Sequence, residues 1–155
     1  MKDIGYEFKN KSLLELALTQ SGVNATHNNE RLEFIGDRVL GLSVADLLMD
    51  MYPCETEGEL ARRHAQLVST DTLGQMARDL GLHQRVRHGH MTAGRTKHML
   101  ANSMEAIFGA IYIDGGFEAA RDVIVKLWRD LAARDVVAPK DPKTALQELV
   151  QQTAK

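Results

Sequence analysis

Cysteine is almost missing from this chain. Cys54 stands alone among 155 residues, which excludes an intramolecular disulfide and fits a reducing compartment. Aromatic residues make up only 5%, too few for a platform on which successive nucleic-acid bases would stack. Long hydrophobic runs are missing as well. The most apolar stretch, Val39 to Met51, is interrupted by Asp46 and Asp50 and is too short to span a bilayer. Met1-Lys2-Asp3 leads directly into a polar, amphipathic segment with no secretion-signal pattern. The expectation is a cytoplasmic protein without a membrane partner. Proline occurs only at Pro53, Pro139 and Pro142, where it marks a helix end and a linker.

What is present suits one ordinary globular domain, with 44% hydrophobic and 26% charged residues and enough length to bury a core. The net charge of −2 hides an uneven distribution. Residues 1–60 carry five Lys/Arg against eleven Asp/Glu, whereas residues 61–100 carry seven against two and hold five of the six histidines. Between His83 and His98 there is no acid, only Arg85, Arg87, Arg95 and Lys97. Such a stretch is either a solvated loop or the face shown to an anionic partner.

Apolar residues recur at helical rather than strand spacing throughout, so the expected fold class is all-α. Ser12 with Glu15 reads as a capping box opening the first helix. A second helix is expected from Glu30 to Tyr52, stopped by Pro53. Its apolar residues lie nearly all round, the pattern of a helix buried in a bundle. Gly36 and Gly41 each cost it roughly 1 kcal/mol of propensity relative to alanine, which close approach by another backbone would explain. Further helices are expected from Thr56 or Glu57 to Leu67, and from just after Asp71 to Gly81. A basic loop turning at Gly89 and Gly94 follows. Two last helices are then expected, His98 to Tyr112 and Phe117 to about Arg134, with Gly109 and Ala110 small enough to pack tightly on the Glu30 helix.

Within the Glu30 helix, Glu30, Glu33 and Asp37 fall at i, i+3 and i+7, on one face and within about two turns. Carboxylates rarely occupy an apolar helix unless something positive holds them. A hard divalent cation, which takes oxygen ligands, is the simplest such partner. Asn102 and Glu105 repeat the i, i+3 spacing on a later helix. For any single carboxylate a surface salt bridge is the plainer reading; the set together points to metal. His88 and His90 are read as solvated, or as facing the anionic partner, rather than as ligands.

Asn29-Glu30-Arg31-Leu32-Glu33-Phe34-Ile35-Gly36-Asp37 with Val39 and Leu40 resembles the signature helix of the ribonuclease III family of double-stranded RNA endonucleases. The likeness extends to Tyr6-Glu7-Phe8 with Leu13-Leu14 and Ala17-Leu18-Thr19, to Glu57-Gly58-Glu59-Leu60 with Leu67-Val68, to Ala101–Asp114, and to Asp141–Leu149. These blocks lie in the family's order across nearly the whole chain. The resemblance implies an endonuclease domain over residues 1–135, a linker over 136–142, and at 143–155 the stub of a truncated double-stranded RNA-binding domain. It implies a homodimer with a catalytic valley, whose subunits each cut one strand of double-stranded RNA, leaving 5′-phosphate and 3′-hydroxyl ends. Mg²⁺ is the implied cofactor, with Mn²⁺ as a substitute. Glu33, Asp37, Asn102 and Glu105 are the implied metal ligands, and Glu30, Asp37, Glu57 and Glu105 the implied catalytic acids. Arg85, Arg87, Arg95 and Lys97 become candidates for RNA contacts.

By periodicity alone Phe34 reads as core; the resemblance places it instead in a pocket of the partner subunit. Two positions depart from the family pattern. Gln20 stands where histidine is expected, and Asn102 where aspartate is expected. An amide oxygen still coordinates a hard cation but adds no formal charge, so Mg²⁺ should bind more weakly than to four carboxylates. That departure keeps open a disabled, non-catalytic RNA-binding dimer on the same fold. A third reading, a helical interaction module with merely solvated acids, requires no divalent-ion binding.

Overall fold

The computed structural model describes residues 4–88 and 93–134, and of residues 93–95 only the backbone. Every regular element among the described residues is helical: α1 (Lys11–Ala17), α2 (Glu30–Met51), α3 (Glu57–Leu67), α4 (Thr70–Asp79), a 3-10 turn (Leu82–Gln84) and α5 (Ala93–Ala133). An isolated bridge joins Thr19 to Arg87. The linker at 136–142 and the segment 143–155 lie outside the described residues.

Helix starts follow side-chain chemistry more closely than apolar spacing suggested. Asn10, not Ser12, caps α1: its Oδ1 accepts the Ser12 backbone N–H at 3.1 Å and the Ser12 hydroxyl at 2.7 Å. Ser12 already sits in the first turn, so its N–H is the orphan donor and Asn10 the acceptor. At α3 the expected start holds, through a capping box in which the Thr56 N–H donates to Glu59 at 2.8 Å. α4 begins earlier than expected, because the Ser69 hydroxyl accepts the Thr72 N–H at 3.2 Å.

The two expected C-terminal helices run together as α5, broken at Gly116 (φ 84°, ψ 178°), a conformation essentially restricted to glycine. The helix also starts before His98, so Gly94 belongs to it rather than to a turn; Gly89 lies outside the described residues. Asp114, near the end of the first arm, fastens the chain's N-terminal segment. It accepts the Tyr6 hydroxyl at 2.8 Å, the Lys9 N–H at 2.8 Å and the Asn10 N–H at 2.9 Å.

The core lies between α2 and both arms of α5. Trp128 is fully buried, stands edge-to-face on Phe108 at 5.6 Å, and donates its indole N–H to the Leu67 carbonyl at 3.0 Å. α2 is not enclosed all round, contrary to its apolar pattern. Phe34 (65% exposed), Leu42 (59%) and Met49 (65%) share one open face, since residues 8 and 15 positions apart fall within about 80° on a helix.

The contact that matters most is the α2–α5 crossing. A Cβ at Gly36 would collide with the Glu105 carbonyl, and one at Gly109 with the Leu32 carbonyl. Two glycines therefore let the backbones touch. Gly41 is different: what it faces is the His64 ring, whose Nε2 lies 2.9 Å from the Gly41 carbonyl oxygen, and not a second backbone.

Candidate metal centre

Glu33 lies one turn before Gly36, and Glu105 one turn before Gly109. The glycine crossing thus draws the carboxylate pair and Asn102 together from two helices. Asn102 stands on α5 three residues before Glu105. Burial, most of all, raises the Glu33 carboxyl above its ordinary value; the Asn102 hydrogen bond opposes this, and the charge of Glu30 adds to it. Glu105 is pushed up to about 7, first by burial and then by the Glu33 carboxylate, with Arg38 opposing. Two half-buried carboxyls, each raised by burial and by a neighbouring like charge (Glu30 on Glu33, Glu33 on Glu105), form a site short of positive charge.

Asp37 lies on the same helix face, but its carboxylate is paired with Arg38. Among the described residues no three acids, histidines or cysteines already converge as a ligand cluster. What the crossing assembles is two carboxylates and an amide, with Asp37 one turn along and Glu30, exposed, acting on Glu33 through its charge. This donor set of oxygens with excess negative charge fits a hard divalent cation.

Glu57 is not brought to this cluster within one subunit. It lines a groove with Leu48 and Met49, about 22 Å along α2 from Glu33 at 1.5 Å per residue.

Sequence spacing missed two residues. Arg38 supplies the site's counter-charge and stacks on Phe34, 4.9 Å from the ring centroid; its place beside Asp37 in the motif was the available signal. Gln20 donates its side-chain amide to the Ser103 hydroxyl at 3.0 Å, next to Asn102, and nothing in the sequence ties positions 20 and 103.

The basic candidates separate. Arg85 is exposed. Arg87 is exposed and pairs with Glu15 at 2.6 Å, while its backbone bonds to Leu18 and Gln20 strap the segment beside α1. Lys97 pairs with Asp71 on α4 and lies over Gly74. The Arg95 side chain and His90 are outside the described residues.

A family model for ribonuclease-III-like domains matches residues 10–131. The chain belongs to the ribonuclease III family. Ribonuclease 3 of Alkalilimnicola ehrlichii is 46% identical over 154 residues, covering 96% of this chain and 67% of that protein. Ribonuclease 3 of Bdellovibrio bacteriovorus is 41% identical, covering 98% and 70%. The chain thus spans about two thirds of the length of these relatives. Among solved structures, the ribonuclease III nuclease domain from Campylobacter jejuni superposes with a TM-score of 0.74 at 34% identity, over 82% of this chain and 92% of that one. That work concerns flexibility in the region where the C. jejuni domain forms its dimer. The Dicer of Pichia stipitis follows at 0.69 and 29% identity, over 88% and 63%. The all-helical architecture is therefore that of a ribonuclease III nuclease domain, and the enzyme class is a ribonuclease III-type endoribonuclease. No helix among the described residues is long and apolar enough to cross a membrane.

Proposed function

We propose that this chain is the nuclease portion of a Mg²⁺-dependent endonuclease that hydrolyses phosphodiester bonds of double-stranded RNA, with Mn²⁺ as an alternative ion. The observation that carries this reading is the pair of half-buried, mutually repelling carboxylates, Glu33 and Glu105, at the α2–α5 crossing. Glu33 and Glu105 would hold the ion through their Oε atoms, Asn102 through Oδ1, and Asp37 through a carboxylate released from Arg38. Bound there, the ion would activate water and offset charge on the phosphoryl oxygens. The water oxygen bonds to phosphorus and the bond to the 3′ oxygen breaks, leaving a 5′-phosphate and a 3′-hydroxyl. Glu30 and Glu57 line the approach. Recognition is by duplex shape and phosphates, because side chains do not read the narrow major groove of A-form RNA. Arg85, Arg87, Arg95 and Lys97 are the proposed phosphate contacts. Residues 1–135 form the nuclease domain, 136–142 a linker, and 143–155 the start of a double-stranded RNA-binding domain.

The working unit is a homodimer. Phe34 is 65% exposed, and a groove of about 470 Å³ lined by Ala45, Leu48, Met49, Leu60, Ala61 and His64 opens on the same helix. A two-fold pairing of α2 helices seats each Phe34 in the other's groove, since a self-complementary patch pairs with its own copy. Glu57 at that groove then comes toward Glu30 and Glu33 of the opposite subunit, completing a valley that no single subunit contains.

The test is cleavage of a long RNA duplex at low salt with Mg²⁺ or with chelator, followed by end-group analysis. Mg²⁺-dependent cutting to 5′-phosphate products is expected. Duplex binding without cutting at saturating Mg²⁺ supports the rival, an RNA-binding dimer disabled by Asn102, whose amide adds no charge to the site.

A further inference from the structure

We propose that Gln20 is a positioning residue that ties the basic segment around Arg85 and Arg87 to the helices of the metal centre, and so sets where a bound duplex is cut. The cutting half rests on the nuclease reading proposed above; the tie itself rests on hydrogen bonds.

Leu18-Thr19-Gln20 follows the end of α1 and touches three other parts of the fold. The Arg87 N–H donates to the Leu18 carbonyl at 2.8 Å, and the Gln20 N–H to the Arg87 carbonyl at 3.1 Å. The Asn29 N–H donates to the Thr19 carbonyl at 2.9 Å, at the entrance of α2 and four residues before Glu33. The third link is made by a side chain. Gln20 Nε2 donates to Ser103 Oγ at 3.0 Å, on the α5 turn between Asn102 and Glu105.

The chemistry of Ser103 fixes the direction of that bond. Its hydroxyl is buried and gives its single proton to the Met99 carbonyl at 2.9 Å, so what it has left is acceptor capacity. A buried acceptor on α5 thus meets an amide donor whose own backbone holds the Arg87 segment. Arg85 is exposed there, and the Arg87 pair with Glu15 is more than half exposed, hence weak enough for a phosphate to displace.

Without the Gln20 amide, Ser103 keeps its bond to Met99, and the backbone bonds of Arg87 remain. Fold and phosphate contacts then persist, while their register against the metal centre is no longer fixed. A misplacement of about 1 Å at the reacting groups costs up to a hundredfold in rate, and binding that is equal in ground and transition states is left untouched.

The experiment compares the native chain with Gln20→Leu, Ser103→Ala, the double variant and Gln20→His. Leucine keeps bulk without a donor, Ser103→Ala removes the acceptor, and histidine carries an N–H at similar reach. Duplex binding is measured in chelator, and single-turnover cleavage of an end-labelled duplex with Mg²⁺ at low salt. Hydrogen exchange at the Arg87 amide is followed without RNA or metal. Each single variant should unfold within a few degrees of the native chain, as befits one hydrogen bond. Each should bind duplex as the native chain does, yet cut about tenfold more slowly or worse and at scattered positions. The double variant should be no slower than either single, since both changes remove one shared bond. Gln20→His should restore rate and cut positions, and Arg87 exchange should quicken in Gln20→Leu and Ser103→Ala. The assignment is overturned if Gln20→Leu cuts at the native rate and positions, or if weakened duplex binding accounts for the whole loss. It is equally overturned if the single effects multiply in the double variant, or if Gln20→His restores nothing. Should no chain cut with Mg²⁺, the nuclease reading and the cutting half fail together. Arg87 exchange then decides the tie alone: faster in Gln20→Leu upholds it, unchanged overturns it.

Discussion

At the residue scale the site turns on Glu105. Its carboxyl titrates near 7 in the fold against about 4.3 in an unfolded chain. The folded state therefore holds the proton more tightly, and this contribution is complete below the unfolded value and lost as pH rises through about 7. Without metal, the midpoint of thermal unfolding is expected to fall between about pH 5 and pH 8, and Glu105→Gln should flatten that slope. A midpoint rising through the same window, or a slope indifferent to Glu105→Gln, contradicts the reading. Asp114 provides the opposite sign. Burial pushes its carboxyl up, but the Asn10 and Lys9 N–H groups and the Tyr6 hydroxyl hold it below the usual range, so Asp114→Asn should weaken the fold most at neutral pH, where the native carboxylate is fully ionised. The i, i+3 pattern on two helices, together with the family resemblance, singles out Glu33, Asn102 and Glu105 as candidates. Arg38 and Gln20 could not be singled out in this way, since their roles depend on a counter-charge and a long-range hydrogen bond that no local period encodes.

At the element scale the helix crossing sets the site. Gly36→Ala is expected to destabilise by about 1–3 kcal/mol or more, the cost of overpacking a closed interior, because the added carbon meets the Glu105 backbone rather than a flexible side chain. Urea unfolding measures the loss, and Mg²⁺ affinity should fall with it as Glu105 is displaced from Glu33. An unaffected Gly36→Ala would mean that the backbones do not touch. The close approach was legible in the sequence, because glycines inside an apolar helix carry a propensity cost that needs a reason. Gly41 shows the limit of that inference, as the same residue type in the same helix faces a histidine ring. Boundaries were less legible than the elements. Asn10 and Ser69 took the caps from residues with better apolar spacing. The break between the last two helices narrowed to Gly116, the glycine of its pair with positive φ.

At the scale of the whole molecule, an apolar face on α2 and a groove beside it fit the proposed pairing with a second copy. Phe34→Ala is expected to yield monomers in sedimentation equilibrium with little change in subunit unfolding, since a ring 65% exposed contributes little to its own core. A dimer that survives the change would mean another face carries the pairing. Periodicity had placed Phe34 in the core because an interface residue and a core residue look alike in a helical stripe; only its exposure separates them. The helical bundle could be foreseen from apolar spacing and from its ordered blocks, whereas the proposed valley needs a partner and is therefore not written in any one chain's spacing.

The most direct measurement is a crystal structure of the native chain grown with Mn²⁺, with anomalous differences collected to locate the ion. A peak bounded by Glu33, Asn102 and Glu105, with Asp37 turned away from Arg38 to join it, is the expected result. An ion found only elsewhere, or none at saturating Mn²⁺, would contradict a metal-dependent nuclease built on this crossing.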